Sequence, residues 1–139
     1  MIWLLPLLLL NDVPNLRQYP ATVTDLVDAL GGDDKKMRWY AARELNRMAK
    51  YNTKLRKKSS PDSIEELEAR MEWSLLNELA APECVNKLKR KEVVSECASI
   101  VRHLEYKAAL PELKKAESME NRYCTKRALK KAIRVLESK

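Results

Sequence analysis

AALPELKKAESMENRYCTKRALKKAIRVL, Ala108 to Leu136, decides the fold. Its apolar residues recur at helical spacing in two blocks, which reads as two helices joined by a tight turn. The chain repeats this unit. Sliding it back by 28 residues lays it over AAPECVNKLKRKEVVSECASIVRHL, Ala80 to Leu104, with Ala80 on Ala108, Val85 on Leu113 and Val101 on Leu129. A further 56 residues back lies LVDALGGDDKKMRWYAARELNRM, where Leu26 meets Leu110, Arg38 meets Arg122 and Leu45 meets Leu129. Self-similarity at a short fixed period is the mark of stacked helical units, each burying a face that it cannot bury alone.

Composition agrees with an all-α domain. The 139 residues are 45% apolar, with two glycines and no phenylalanine, which excludes a disordered chain. There are 27 basic and 20 acidic residues, a net charge of +7, and the excess is uneven. Residues 1–80 hold 12 Lys or Arg against 12 Asp or Glu, whereas residues 81–139 hold 15 against 8. That second half would attract an acidic partner, or the charge serves as a solvated face that keeps the protein soluble.

Reaction chemistry is not visible. Cys84, Cys97 and Cys124 form no C-x-x-C pair, and His103 is the one histidine, so neither a metal site nor a cofactor is expected. Cys97 aligns with Ala41 and reads as a small buried thiol; it stands six residues from His103 on one helix, so the two point to different sides. There is no glycine-rich phosphate loop and no serine elbow. The chain is therefore expected not to be an enzyme. Unpaired thiols favour a reducing compartment, and a cytoplasmic location with it.

MIWLLPLLLL, Met1 to Leu10, is wholly apolar and too short to span a bilayer. Three readings stand: a first helix capping the open end of the stack, which is preferred, an atypical export signal, or the stump of a longer membrane segment giving membrane attachment. Asn11 to Pro20 reads as a connecting loop, which sets a boundary between residues 1–20 and a repeat domain over 21–139. Thr22 or Thr24 caps a helix carrying Leu26, Val27 and Leu30; Gly31 and Gly32 end it. Asp33 and Asp34 open a second helix whose stripe is Met37, Ala41, Leu45 and Met48. Lys50 to Ser60 reads as a helix extension and loop with four clustered cations, Lys54, Arg56, Lys57 and Lys58, solvated or facing phosphate. Ser60 and Pro61 give the next start signal, followed by a stripe of Ile64, Leu67, Met71, Leu75 or Leu76, and Leu79, with Glu65, Glu66, Glu68 and Glu72 in the opening turns. The last unit buries Leu110 and Leu113, then Cys124, Ala128, Leu129, Ala132, Ile133 and Leu136.

Ala109 to Leu113, a turn, then Asn121, Arg122, Ala128 and Leu129, together with Met37 to Leu45, resemble the short HEAT repeats of the phycobilisome-lyase type of α-solenoid. The resemblance covers about Thr22 to Leu136 and departs in the second unit, which lacks a recognisable first helix. It implies a right-handed α-α superhelix, HEAT-like or armadillo-type, of about four helical pairs. It also implies that the arginine matched by Arg38 and Arg122 braces adjacent units through an acidic residue, a ladder that Val94 interrupts. Some relatives attach bilins or act on DNA bases, and fold analogy alone transfers neither activity.

Aligned second helices give outward columns of Trp39, Ser95 and Tyr123; Arg43, Ser99 and Arg127; Asn46, Arg102 and Lys130; Arg47, His103 and Lys131. In a solenoid these line the concave surface, where Trp, Tyr and Arg suit a docking partner; Trp39 and Tyr123 are alternatively wedged between helices. The expected role is a protein-protein interaction scaffold for an acidic partner, with binding residues Trp39, Arg43, Arg47, Arg102, His103, Tyr123, Arg127, Lys130 and Lys131. The alternative is nucleic-acid binding through the same groove and the Lys54 to Lys58 cluster.

Overall fold

In the computed structural model, residues 22–58 and 63–139 are described, residues 56–58 by backbone alone. The Met1 to Leu10 segment, the Asn11 to Pro20 loop and the Ser60–Pro61 start signal lie outside the described residues. Among the described residues, seven α-helices follow one another: α1 Val23–Leu30, α2 Lys35–Lys58, α3 Ile64–Leu75, α4 Ala81–Arg90, α5 Val94–His103, α6 Leu110–Met119 and α7 Tyr123–Glu137. No strand occurs among the described residues.

Local chemistry explains where the first helices begin. Thr22 caps α1: its hydroxyl accepts from the Asp25 amide at 3.1 Å, and the Asp25 carboxylate accepts from the Thr22 amide at 3.3 Å. Thr24 takes no part in this reciprocal pair. Thr22→Ala should lower stability by about 1 kcal/mol in urea unfolding, while Thr24→Ala leaves it unchanged. Asp34 opens α2 by accepting from the amides of Lys36 and Met37 at 2.9 and 3.1 Å. Ser63 caps α3, its hydroxyl accepting from the Glu66 amide at 3.1 Å.

Between α3 and α4 the helix does not stop. Leu76–Ala80 is a π turn, in which the Ala81 amide reaches back to the Leu76 carbonyl, and the backbone continues into α4 with Pro82 in its first turn. A proline in an unbroken α-helix clashes with the preceding turn and leaves a carbonyl without its donor. The wider π turn accommodates both problems, so Ala80 to Pro82 is a distortion within one rod and not a break between two units. Six packed rods therefore form three hairpins: α1 with α2, the α3–α4 rod with α5, and α6 with α7. This corrects the expectation of about four helical pairs: the stretch taken as a separate second unit is the front half of the third unit's first helix.

The same continuity corrects the stripe assigned to α3. Ile64, Leu67, Met71 and Leu75 are 72, 52, 70 and 45% exposed, while the inner edge of the rod is Glu66, Ala69, Leu76, Ala80 and Ala81. Rotation of α3 is set by α4, whose Cys84 and Leu88 are anchored in the core, and by the contact with α2, where the Asn52 amide donates to Glu72 at 2.6 Å. Leu76, one of the two alternatives, is the leucine that is buried; Leu79 is partly so.

Packing follows the repeat most closely in the second helices. Ala41, Cys97 and Thr125 occupy one buried column, and Leu45, Val101 and Leu129 another. Cys124 was expected inside and is exposed; Thr125, one position on, takes its place. α5 packs against both α2 and α7, so the three second helices lie side by side, and on the opposite layer α4 contacts α6 while α1 contacts the π turn.

Candidate functional site

The face formed by α2, α5 and α7 is held by an ion cluster at one end. Lys87, on α4, is 1% exposed and donates to Glu92 at 3.0 Å, with Glu83 at 4.0 Å. Glu92 also takes Arg38 Nε of the first hairpin at 3.7 Å, and Arg38 Nη1 donates to the Gly32 carbonyl at 2.9 Å. Arg38 thus braces adjacent hairpins through an acidic residue. The hydrogen bond from Lys87 holds the Glu92 carboxyl below its ordinary range. The turn that delivers Glu92 is strained: Lys91 and Val93 have φ of 60° and 41°, a region that costs a β-branched residue about 1–3 kcal/mol. Arg122, the second matched arginine, pairs within its own turn, with Glu120 at 3.0 Å, and this contact pulls the Glu120 carboxyl down to about 2.

Three depressions run across the face. One, of about 670 Å³, is lined by Lys35, Arg38, Trp39, Val93, Arg122 and others. A second contains Asn46, Ser99, Arg102 and Lys131, and a third Arg43, Arg47, Lys50, Tyr51 and Lys54. Glu96 lines all three, so they adjoin one another around it, and together they are called the trough below.

Of the nine expected residues, Trp39, Arg43, Arg47, Arg102 and Lys131 line this trough. Trp39 is 44% exposed, not wedged between helices, and the Arg43 guanidinium sits 4.7 Å above its ring, a contact worth about 0.5–1 kcal/mol at the surface. Arg47 is paired with Glu44 at 2.7 Å. Tyr123, 75% exposed, and the exposed Arg127 and Lys130 stand on α7 outside the three depressions. Arg102 and His103 are half-buried because α5 is flanked on both sides; the Arg102 guanidinium lies 3.3 Å from His103 Nε2, and the His103 carbonyl accepts from the Thr53 hydroxyl. Desolvation lowers the Arg102 pKa.

Sequence reasoning missed Glu96 as a lining residue, since a carboxylate in the first turn of a helix is accounted for by the helix dipole alone. It also missed Lys35, Lys50 and Tyr51, which extend the outward columns along α2 at helical spacing. Among the described residues, no three His, Cys, Asp or Glu side chains come together as metal ligands, and no helix is long and apolar enough to cross a membrane. Burial, with the contact from Cys84, pushes the Cys97 thiol up, so this thiol stays protonated and chemically quiet. No family model matches the chain, and no curated protein or solved structure matches it.

Proposed function

We propose that this chain is a non-catalytic binding protein, a short HEAT-like solenoid of three hairpins whose trough receives an acidic protein segment. The observation that carries the reading is that three adjoining depressions on one face share Glu96 and are lined by cations from three helices, Arg43 and Arg47 of α2, Arg102 of α5 and Lys131 of α7. An aromatic platform, Trp39 with Arg43, sits within the trough. Side-by-side second helices and the Arg38 to Glu92 brace support the solenoid reading.

Nucleic acid is the competing occupant. Lys50 and Lys54 prolong the cationic lining along α2, which favours it. Glu44, Glu92 and Glu96 inside the trough oppose a continuous phosphate backbone, whereas a peptide can place its own lysines or amides against them.

The test uses a glutamate-rich peptide and a DNA oligonucleotide of similar charge, each titrated at 50 and 200 mM salt. The peptide should bind with a shallow salt dependence, and Arg43→Glu with Arg47→Glu and Lys131→Glu should weaken it at least about tenfold by placing like charges in the trough. A steep loss of oligonucleotide affinity with salt, tighter than peptide at the lower concentration, would instead assign the trough to nucleic acid. Peptide binding unchanged by the triple replacement would remove the assignment.

A further inference from the structure

One of the three depressions, of about 260 Å³, takes its lining from every hairpin. α5 contributes Ser95, Ser99 and Arg102, which stand three or four residues apart and so share one side of that helix. Asn46 comes from α2 and Lys131 from α7.

Two of these groups lack a complement. Arg102 is half-buried, burial is the one influence that moves its pKa, and among the described residues no carboxylate pairs with it, although Glu96 lines the same depression. A guanidinium partly removed from water without a counter-ion carries a cost that an anion relieves. Asn46 Oδ1 is buried and accepts no hydrogen bond among the described residues, so it needs a donor. The terminal torsion of asparagine is broad, and its rotation turns that oxygen toward the depression that Asn46 lines.

We propose that this depression holds the C-terminal residue of a partner chain, with the terminal carboxylate on Arg102 and Lys131 and the same residue's amide N–H donating to Asn46 Oδ1. The proposal rests on the reading of the trough as a site for an acidic protein segment, and it names the part of that segment that is recognised.

Charge and spacing choose a chain terminus. Arg102 and Lys131 against Glu96 leave one positive charge in the depression, which matches a monoanionic carboxylate better than a phosphate group near about −2. The site also needs an anion and a donor close together. A chain terminus carries its carboxylate and its N–H on one Cα, whereas a glutamate side chain separates them by two further methylenes. The hydroxyls of Ser95 and Ser99 both donate and accept, which suits the second carboxylate oxygen.

The test titrates the full chain at 200 mM salt with three labelled glutamate-rich peptides, read by fluorescence anisotropy. One ends in a free carboxylate, one in a carboxamide, and the third is the carboxamide with one added internal glutamate, which restores the net charge. The free acid should bind at least about tenfold more tightly than the charge-matched carboxamide. Arg102→Gln, and separately Asn46→Ala, should shrink that ratio below about threefold. The ratio, unlike either affinity alone, is not moved by a general loosening of the fold, and the parent comparison stands by itself should a variant fail to fold. Equal binding of the free acid and the charge-matched carboxamide, both weakened by the joint Arg43, Arg47 and Lys131 replacements, would overturn the terminus assignment and leave the trough reading intact. Absence of binding by all three peptides would overturn both. A tenfold ratio that neither variant reduces would place the carboxylate elsewhere and overturn the site. Displacement of the free-acid peptide by millimolar inorganic phosphate, but not by acetate at the same ionic strength, would overturn it in favour of a phosphoryl group.

Discussion

Glu92→Ala is expected to lower the unfolding free energy by about 2–3 kcal/mol, an unusually large loss for a residue in a surface turn. The cost arises at its partner. Lys87 is 1% exposed, and without Glu92 its ammonium keeps only Glu83, at 4.0 Å. A buried charge deprived of its counter-ion is among the most destabilising lesions a side-chain truncation can cause, and the remaining carboxylate moderates it. Adding Lys87→Met in the same chain should recover most of the loss, because the long apolar side chain fills the space and no charge remains to be compensated. The same cluster sets an acid limit. The folded Glu92 carboxyl is held below its unfolded value, so its stabilisation is complete above the ordinary carboxylate range, near 4.5, and drains away as pH falls through the depressed folded value. Urea unfolding of the parent and of Glu92→Gln between pH 3 and 7 should converge at the acid end. Parallel curves across that range would show that the Lys87 contact contributes nothing.

Ile100→Ala should cost more still, about 3–4 kcal/mol, and lower the melting temperature by roughly 10–15 °C. Ile100 is fully buried in α5, which packs against α2, α4 and α7 and so stands between all three hairpins. A cavity there has walls on several helices, and none can close it without moving away from another neighbour. Calorimetry checks the figure; a change under about 1 kcal/mol would mean that the centre of the molecule is loosely packed.

How much of this was legible in the sequence depends on whether a residue's surroundings are local. The second helices were readable because each has a polar flank and an apolar stripe of its own: Leu45, Val101 and Leu129 sit where the 28-residue frame puts them. That frame also contained the answer for Cys124. It places Thr125 beneath Cys97 and Ala41, and Thr125 is the buried residue; preference for the more apolar neighbour led to the wrong choice. The α3 stripe could not be corrected in this way. Its apolar pattern is genuine, but which way it faces depends on α4 through a π turn, and no periodicity within residues 64–79 carries that information. For the interaction face, the exposed columns on α2 were legible from spacing, since Trp39, Arg43 and Arg47 all stand exposed on the outer side of their helix. The convergence of three depressions on Glu96 was not, because it depends on how close α2 and α7 approach α5.

The α3–α4 rod has an evolutionary consequence. Arrays of similar units lengthen and shorten by duplication or loss of one unit, provided that each unit begins and ends at a loop. The rod, about 40 Å long at 1.5 Å per residue, crosses such a boundary: α3 leans on the first hairpin through Asn52 and Glu72, and α4 anchors the second. Removing or copying a segment there would sever a helix. That junction is therefore closed to exchange of whole units.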